Sequence, residues 1–219
     1  RFTPTYRVLT DIVVTVDDDI VVGEPDLDRM ATTMREQNLS TVLGPFPRWH
    51  DSRGNYKWLP QGTPKVGYPI ILTKLHLSPY WLYHAYYCDL QYSAQRAMVA
   101  RTFNGEDILY MRVAADRGVR PLYIVTIDPI VDAGLSGLHN RSDHTRERSA
   151  MVRACDFNTS HWSTDVVLPP GTATSPYAHT HYVDIFASKL VECHACHAHN
   201  GSDPLKGKTI EVADPSCSS

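Results

Sequence analysis

The sequence lacks the features that mark membrane-spanning, nucleic-acid-binding or disulfide-framed proteins. None of its apolar runs approaches the roughly 20 residues needed to cross a bilayer. Lys and Arg (21) are fewer than Asp and Glu (24) and are scattered, so no basic stripe indicates a nucleic-acid partner. The five cysteines are an odd number and give no complete disulfide framework. A hydrophobic content of 42% within 219 residues is instead typical of one globular domain with a tail.

Short apolar runs alternate with helical patterns through residue 165, which predicts an α/β layered fold. Strands are predicted at 11–16, 41–44, 68–72 and 122–125, and helices at 25–36, 80–87 and 106–117. We expect the aromatic helix at 80–87 to belong to the core. The Gly- and Pro-rich stretch 44–69 is predicted to be an ordered loop region. Residues 166–219 are rich in Pro, Ser and Thr and then in Cys and His, which predicts a poorly ordered tail with one short helix at 182–190.

Three adjacent carboxylates, Asp17, Asp18 and Asp19, end the first apolar strand. Their mutual repulsion is costly at the end of a buried strand unless a cation offsets it. Hard divalent ions such as Mg²⁺ or Mn²⁺ take oxygen ligands and keep positions for water or phosphate. Residues two apart on an extended chain project the same way, so Asp17 and Asp19 would face one site. The alternative is an acidic turn whose carboxylates are simply solvated.

Four separated segments carry a resemblance to a known family. Residues 14–19 read VTVDDD, residues 44–50 read GPFPRWH, residues 104–108 read NGEDI, and GLSG at 134–137 precedes Arg141 and His144. In this order and at these spacings they resemble the exostosin-like glycosyltransferases of family 64 over most of residues 2–165. The partial catalytic domain is therefore placed at 1–165, followed by the tail at 166–219.

The resemblance implies a GT-A fold, a single α/β domain with a mixed central sheet. It also implies a retaining, Mn²⁺- or Mg²⁺-dependent hexosyltransferase that uses a nucleotide diphosphate-sugar, with a UDP-N-acetylhexosamine the first choice, and a glycan or glycolipid acceptor. Only sixteen residues precede Asp17, so we expect the N-terminal strands of such a domain to be missing. The expected location is the Golgi or endoplasmic reticulum lumen, with membrane attachment only through a segment outside this chain.

The resemblance also implies roles for residues that bind the metal and the nucleotide. Asp19 would ligate the metal directly, and Asp17 would contact the ribose or a metal-bound water, with Asp18 beside it in the donor site. Arg141 would neutralise the diphosphate. Such a metal and guanidinium stabilise the charge that develops on a departing nucleoside diphosphate. Without the family match, Arg141 would be read as an ordinary surface residue.

A second group of residues is implied to surround the transferred sugar. Asp107 would lie beside the anomeric carbon, with Glu106 and Asn104 in the same pocket, and Arg48 would position the sugar or acceptor. A carboxylate there can stabilise an oxocarbenium-like transition state or act as a nucleophile, and the sequence leaves both open. The alternatives are structural: Asp107 as a helix N-terminal charge and Arg48 as a loop anchor.

The chain departs from the family pattern at four positions. The family's paired cysteines correspond to Gly105 and Met151, so the resemblance implies that one disulfide has been lost while the fold remains. His139 and Asn140 replace an aromatic residue and a histidine next to the predicted diphosphate site. These changes leave a rival function open, a non-catalytic nucleotide-sugar or glycan-binding module.

The tail contains one further pattern, Cys193-His194-Ala195-Cys196-His197. Cys193, Cys196 and His197 match the Cys-x-x-Cys-His spacing of haem attachment, and they also match half of a zinc site. No second Cys-x-x-Cys accompanies them. A chance match in a disordered, low-complexity tail is the third interpretation.

Overall fold

The computed structural model describes residues 8–58, 69–128, 130–132, 141–156 and 165–167. Within these ranges the strands are β1 (Ile12–Val16), β2 (Ile20–Val21), β3 (Thr41–Gly44), β4 (Pro47–His50), β5 (Tyr56–Lys57), β6 (Ile70–Ile71), β7 (Leu75–Pro79), β8 (Arg120–Ile124), β9 (Val131–Asp132) and β10 (Asp165–Val167). The helices are α1 (Glu24–Glu36), α2 (Tyr80–Cys88), α3 (Ser93–Thr102), α4 (Glu106–Asp116) and α5 (His144–Cys155), with a 3-10 turn at Leu90–Tyr92.

A five-stranded mixed sheet forms the centre, in the order β1-β7-β3-β8-β10. Strand β7 runs antiparallel to both of its neighbours, whereas β3 is parallel to β8 and β8 is parallel to β10. The strands β1, β3, β8 and β10 therefore point the same way, and their carboxyl ends lie at one edge of the sheet. In open α/β sheets this edge is where ligands bind.

Helices cover both faces of the sheet. Consecutive residues of β3 alternate between two buried clusters, because successive strand side chains point to opposite faces. Leu43 packs with Met30 and Met34 of α1, while Val42 joins the cluster that contains Ile108 of α4. Met30 and Met34 are fully buried, and each contributes about 1.5–3 kcal/mol of hydrophobic stabilisation.

Helix α1 has its start and end encoded locally. Pro25 stands in the first turn with Glu24 and Asp26, where a fixed φ and negative charge favour a helix N-terminus. At the other end, Asn38 and Leu39 adopt positive φ angles of 50° and 55° and turn the chain into β3. The helix predicted at 25–36 is confirmed, and its end signals lie close to it in the sequence.

The predicted α/β class with a mixed sheet is confirmed, and every predicted strand and helix of the main domain lies within two residues of the observed bounds. The loop predicted at 44–69 is wrong in part, because β4 and β5 form a hairpin there. Strand β7 and helices α3 and α5 were not predicted. β7 is a short strand that alternates Leu75 and Leu77 with His76 and Ser78 and ends in Pro79, and all five residues are buried.

The aromatic helix α2 faces the core as predicted. The rings of Tyr83 and Tyr86 lie 5.2 and 5.8 Å from that of Tyr110 in α4. Burial raises the pKa of all three phenols. Trp81 on the same helix is exposed, so the core contact involves one face only.

No helix in the described part of the chain is long and apolar enough to span a bilayer. Strand β10 joins residues 165–167 to the sheet through its pairing with β8. The rest of the predicted tail, including the helix predicted at 182–190, lies outside the described residues.

Candidate active site

The three aspartates follow β1 at the edge where the parallel strands end. The Asp17 amide donates to the Lys74 carbonyl at 2.8 Å, and the Ile20 amide donates to the Asp17 carbonyl at 3.2 Å. The chain then enters β2, which pairs with β9. Asp17 and Asp19 are half-buried while Asp18 is exposed. This burial pattern fits the expectation that Asp17 and Asp19 share one side of the chain.

Asp19 carries one carboxylate oxygen with a partner and one without. Its Oδ2 lies 3.5 Å from Lys74 Nζ. Its Oδ1 is buried and accepts no hydrogen bond from the residues that the structure describes. A buried carboxylate oxygen of this kind is costly unless a cation or a donor reaches it. Asp19 Oδ1 is therefore suited to ligate a hard divalent ion.

The protein itself supplies few ligands at this site. Over the described ranges, no group of three or more His, Cys, Asp or Glu side chains is arranged to hold a metal ion. Mg²⁺ sites that serve phosphate substrates commonly use one or two carboxylates, with waters and phosphate oxygens completing the shell. The donor set fits a metal that is shared with a phosphate ligand.

A two-residue turn before β7 connects the aspartates to the start of α4. Lys74 contacts Asp19, and the preceding residue, Thr73, donates its hydroxyl to Glu106 Oε1 at 3.5 Å. The triple aspartate and the first turn of α4 therefore contact consecutive residues. They are 87 positions apart in sequence (Asp19 to Glu106) but lie at the same edge of the fold.

Asp107, the next residue of α4, forms a buried ion pair with Arg148 of α5. Arg148 Nη2 lies 2.5 Å from Asp107 Oδ2, and the two side chains are 6% and 3% exposed. Asp107 Oδ1 accepts the Ile108 amide at 2.8 Å. Burial lowers the pKa of Arg148, but the charges of Asp107 and Tyr56 outweigh this and hold the pKa above its ordinary value. Both oxygens of Asp107 are thus engaged.

Asn104 joins this pair to the start of α5. Its amide nitrogen donates to the His144 carbonyl at 3.2 Å and to Glu147 Oε2 at 3.1 Å, and its Oδ1 accepts from Arg148 at 3.4 Å. Arg141 donates in turn to Glu147 at 3.1 Å. Asn104, Asp107, Arg148 and Arg141 form one connected polar network beside the α4 N-terminus.

The model of the Glycosyl transferase family 64 domain matches residues 1–158, which is 158 of 219 residues. The chain belongs to this family. The resemblance found in the sequence is confirmed at the level of the family, and the protein carries a glycosyltransferase domain. No curated protein matches the chain.

In this family-64 domain the cation that contacts Asp107 is Arg148, which the sequence analysis did not single out. Arg141, predicted to neutralise the diphosphate, is 37% exposed and contacts Asp143, Glu147 and the Thr102 carbonyl. The hydrogen bond from Arg141 to Asp143 raises the pKa of Arg141 and lowers that of the carboxyl. The signal for Arg148 was present in the sequence, because it lies three residues before Met151, the predicted partner of Gly105.

Arg48 lies on the β4–β5 hairpin and is only 6% exposed. Its guanidinium sits 4.9 Å from the centre of the exposed Trp58 ring, and its Nη1 donates to the Pro47 carbonyl at 2.8 Å. Tyr56 of the same hairpin lies under the Arg148 guanidinium at 4.2 Å. Burial raises the pKa of Tyr56, and the nearby charges of Arg148 and Arg48 oppose that shift. The two arginines therefore flank one phenol.

Gly105 and Met151 are neighbours in the structure, as their correspondence to a cysteine pair implies. A Cβ added at Gly105 would lie 3.1 Å from Met151 Cβ and 3.0 Å from its Cγ. Gly105 has a φ of +84°, a conformation that glycine adopts without cost. The methionine side chain fills the position next to this glycine, so α4 and α5 stay in contact without a covalent link.

The remaining predicted site residues lie outside the described ranges. These are His139 and Asn140 next to the predicted diphosphate site, and Cys193, Cys196 and His197 of the tail. The metal and haem interpretations of the tail stay predictions.

Proposed function

We propose that this glycosyltransferase domain has a GT-A-type fold and transfers a sugar, with retention of configuration, from a nucleotide diphosphate-sugar to a glycan or glycolipid acceptor. A UDP-N-acetylhexosamine is the first donor to test. The observation that carries this proposal is that Asp19 and Glu106 contact consecutive residues of one turn, Lys74 and Thr73. A metal held by a carboxylate would stabilise the departing diphosphate, and a second acidic group at the same sheet edge could stabilise the oxocarbenium-like sugar.

Asp19 would hold Mn²⁺ or Mg²⁺ through its buried Oδ1, and Asp17 would contact the ribose or a metal-bound water, with Asp18 beside it. A divalent ion held there would supply positive charge to stabilise a departing diphosphate. Asp19 keeps its position because β2 and β9 hold the chain that follows it. A metal held by Asp19 would therefore lie at the end of β1, where Lys74 Nζ is 3.5 Å from the other oxygen of the same carboxylate.

Asp107 would act on the sugar through its charge. It is buried and both its oxygens are engaged, which disfavours direct attack on the anomeric carbon. The Arg148 ion pair instead fixes the carboxylate beside Glu106, which is half-buried and accepts a hydrogen bond from Thr73, the residue before Lys74. We propose electrostatic stabilisation of an oxocarbenium-like transition state by this acidic pair. Asn104 supports it by holding α5 against the start of α4 through its contacts with His144, Glu147 and Arg148.

Arg141 and Arg48 would complete the site. For Arg141 to neutralise the diphosphate it must exchange Asp143 and Glu147 for phosphate oxygens, which is feasible because its side chain is 37% exposed. Arg148 stays with Asp107. Arg48, held over Trp58, would position the sugar or acceptor with a guanidinium and an aromatic face.

The second candidate is a non-catalytic module that binds a nucleotide-sugar or glycan. The observation that favours it is the engagement of the acidic and basic groups with each other, above all Asp107 with Arg148. A purely structural carboxylate at a helix N-terminus would make the same contacts.

We further propose that the domain works in the Golgi or endoplasmic reticulum lumen. Support comes from Asn38, which begins an Asn-Leu-Ser sequon and is exposed at the end of α1. A surface sequon is an acceptor for glycosylation in the secretory route.

The test is Mn²⁺-dependent hydrolysis and transfer from UDP-N-acetylhexosamines by the wild type, Asp19→Ala and the control Asp28→Ala. Asp28 is an exposed residue of α1. We expect Asp19→Ala to lower turnover by about 100-fold or more, since a positioned charge-stabilising group is removed. Equal binding of UDP-sugar by the wild type and Asp19→Ala in Mn²⁺ would rule out the metal role. Tight binding without turnover in the wild type would favour the binding module.

A further inference from the structure

Lys74 is held directly against the proposed metal ligand. Its Nζ lies 3.5 Å from Asp19 Oδ2, and its main-chain carbonyl accepts the Asp17 amide at 2.8 Å. The lysine side chain is 20% exposed. The same residue thus contacts the first aspartate through its backbone and the third through its charge.

The position of Lys74 is fixed by the sheet. The next residue begins β7, which is buried throughout and pairs with both β1 and β3. The residue before it, Thr73, is 2% exposed and contacts Glu106. The Thr73–Lys74 turn therefore contacts both the triple aspartate and the acidic start of α4, and a diphosphate bound to an ion on Asp19 would lie close to this turn.

The Lys74 ammonium would interact differently with its surroundings before and after an ion and a diphosphate bind at this edge of the sheet. Three carboxylates in sequence repel one another, and one ammonium offsets part of that repulsion when no ion is bound. A divalent ion on Asp19 Oδ1 would lie close to the same ammonium and be repelled by it. A diphosphate bound to that ion would bring oxygens with which an ammonium forms strong charge-assisted hydrogen bonds.

We propose that Lys74 is a positioning residue that holds Asp19 before the metal binds and turns to the diphosphate afterwards. The inference rests on the proposed metal role of Asp19. It assigns the lysine a part in ordering the two binding events, since the ammonium disfavours the ion alone and favours the ion with its phosphate ligand. A salt bridge with only a structural role would not favour the ion with its phosphate ligand.

The proposal predicts opposite changes in two affinities when the charge is removed. In Lys74→Met, Mn²⁺ alone should bind about three- to tenfold more tightly, because the repelling ammonium is gone. In saturating Mn²⁺, UDP should bind about tenfold more weakly, because a charge-assisted hydrogen bond to phosphate is lost. General destabilisation of the fold would weaken both.

The experiment measures Mn²⁺ binding by electron paramagnetic resonance of the free ion and UDP binding by calorimetry in saturating Mn²⁺. Lys74→Arg keeps the positive charge on which both predicted effects depend, and should stay within about twofold of the wild type in both affinities. Lys57→Met is the matched control, because Lys57 forms a similar pair with Asp51 at 3.8 Å on the hairpin. It should change neither affinity.

Two outcomes separate this inference from the function on which it rests. If Asp19→Asn weakens Mn²⁺ binding but Lys74→Met leaves both affinities unchanged, or shifts both the same way, the assignment of Lys74 is wrong and the metal site stands. If Asp19→Asn leaves Mn²⁺ binding unchanged, the metal role fails and the inference fails with it.

Discussion

Replacing Arg148 by methionine removes one charge from the buried pair that joins α4 to α5. Methionine retains much of the side-chain length and leaves Asp107 without its guanidinium partner at 2.5 Å. The guanidinium also lies 4.2 Å from the Tyr56 ring centre, and that contact is lost too. The substitution therefore tests whether the network beside the α4 N-terminus is held together by this pair.

The expected cost follows from the burial of both groups. Breaking a buried ion pair by removing one partner costs about 3–5 kcal/mol, because the other charge stays buried and uncompensated. The cation–π contact adds up to about 2 kcal/mol when desolvated. Since domains of this size are stable by about 5–15 kcal/mol, Arg148→Met should lose a large part of the free energy of unfolding.

The assay is urea unfolding followed by far-ultraviolet circular dichroism. Arg117→Met is the control, because Arg117 lies 2.7 Å from Asp89 but is 45% exposed. An exposed pair of this kind contributes about 0–1 kcal/mol. The double variant Asp107→Leu/Arg148→Met removes both charges and should be more stable than Arg148→Met alone. It should still be inactive if Asp107 stabilises the transition state.

Two results would refute this reasoning. Arg148→Met could cost no more than Arg117→Met, in which case burial does not strengthen the pair. Alternatively, the double variant could lose as much free energy of unfolding as Asp107→Leu and Arg148→Met lose together when each is measured alone. That would mean that the two residues are not coupled. Retained turnover in the double variant would leave the pair a structural role only.

Two further predictions concern α4–α5 packing and the secretory route. Gly105→Cys/Met151→Cys should form a disulfide on oxidation, because the two Cβ positions are adjacent. After unfolding, the oxidised variant should then have no more titratable thiols than the wild type. Two extra free thiols would contradict the contact. We expect it to add about 1–3 kcal/mol, less than loop closure alone gives, since a side chain at Gly105 is strained. Expressed in a eukaryotic secretory host, the protein should lose one glycosidase-sensitive glycan on Asn38→Gln, and no change in mass would count against glycosylation there.

The sequence was sufficient for elements whose signals are local. The run 11–16 is β-branched and stops at three carboxylates, and Pro25 and the acidic first turn mark the start of α1. The family itself followed from four short motifs in order. These features need no knowledge of distant residues, because strand period, helix caps and motif spacing are properties of the chain alone.

Strand β7 and the role of Lys74 depended on the tertiary structure. β7 alternates Leu75 and Leu77 with His76 and Ser78, which is the pattern of a strand with one solvated face. His76 and Ser78 are nevertheless fully buried, so only the tertiary structure shows that both faces of the strand are covered. Lys74 is an ordinary lysine in the sequence. Its importance arises only when antiparallel pairing of β7 with β1 brings it beside Asp19.

The choice between two arginines shows the same limit most clearly. Arg141 and Arg148 lie seven positions apart in a stretch that is rich in charged residues of both signs, and the family motif contains Arg141. Arg141 precedes α5 and contacts its exposed start, whereas Arg148 lies one turn inside the helix on the side that packs against α4. Sequence determined which charged residues were available, but the rotation of α5 against α4, set by side-chain packing, decided which one reached Asp107.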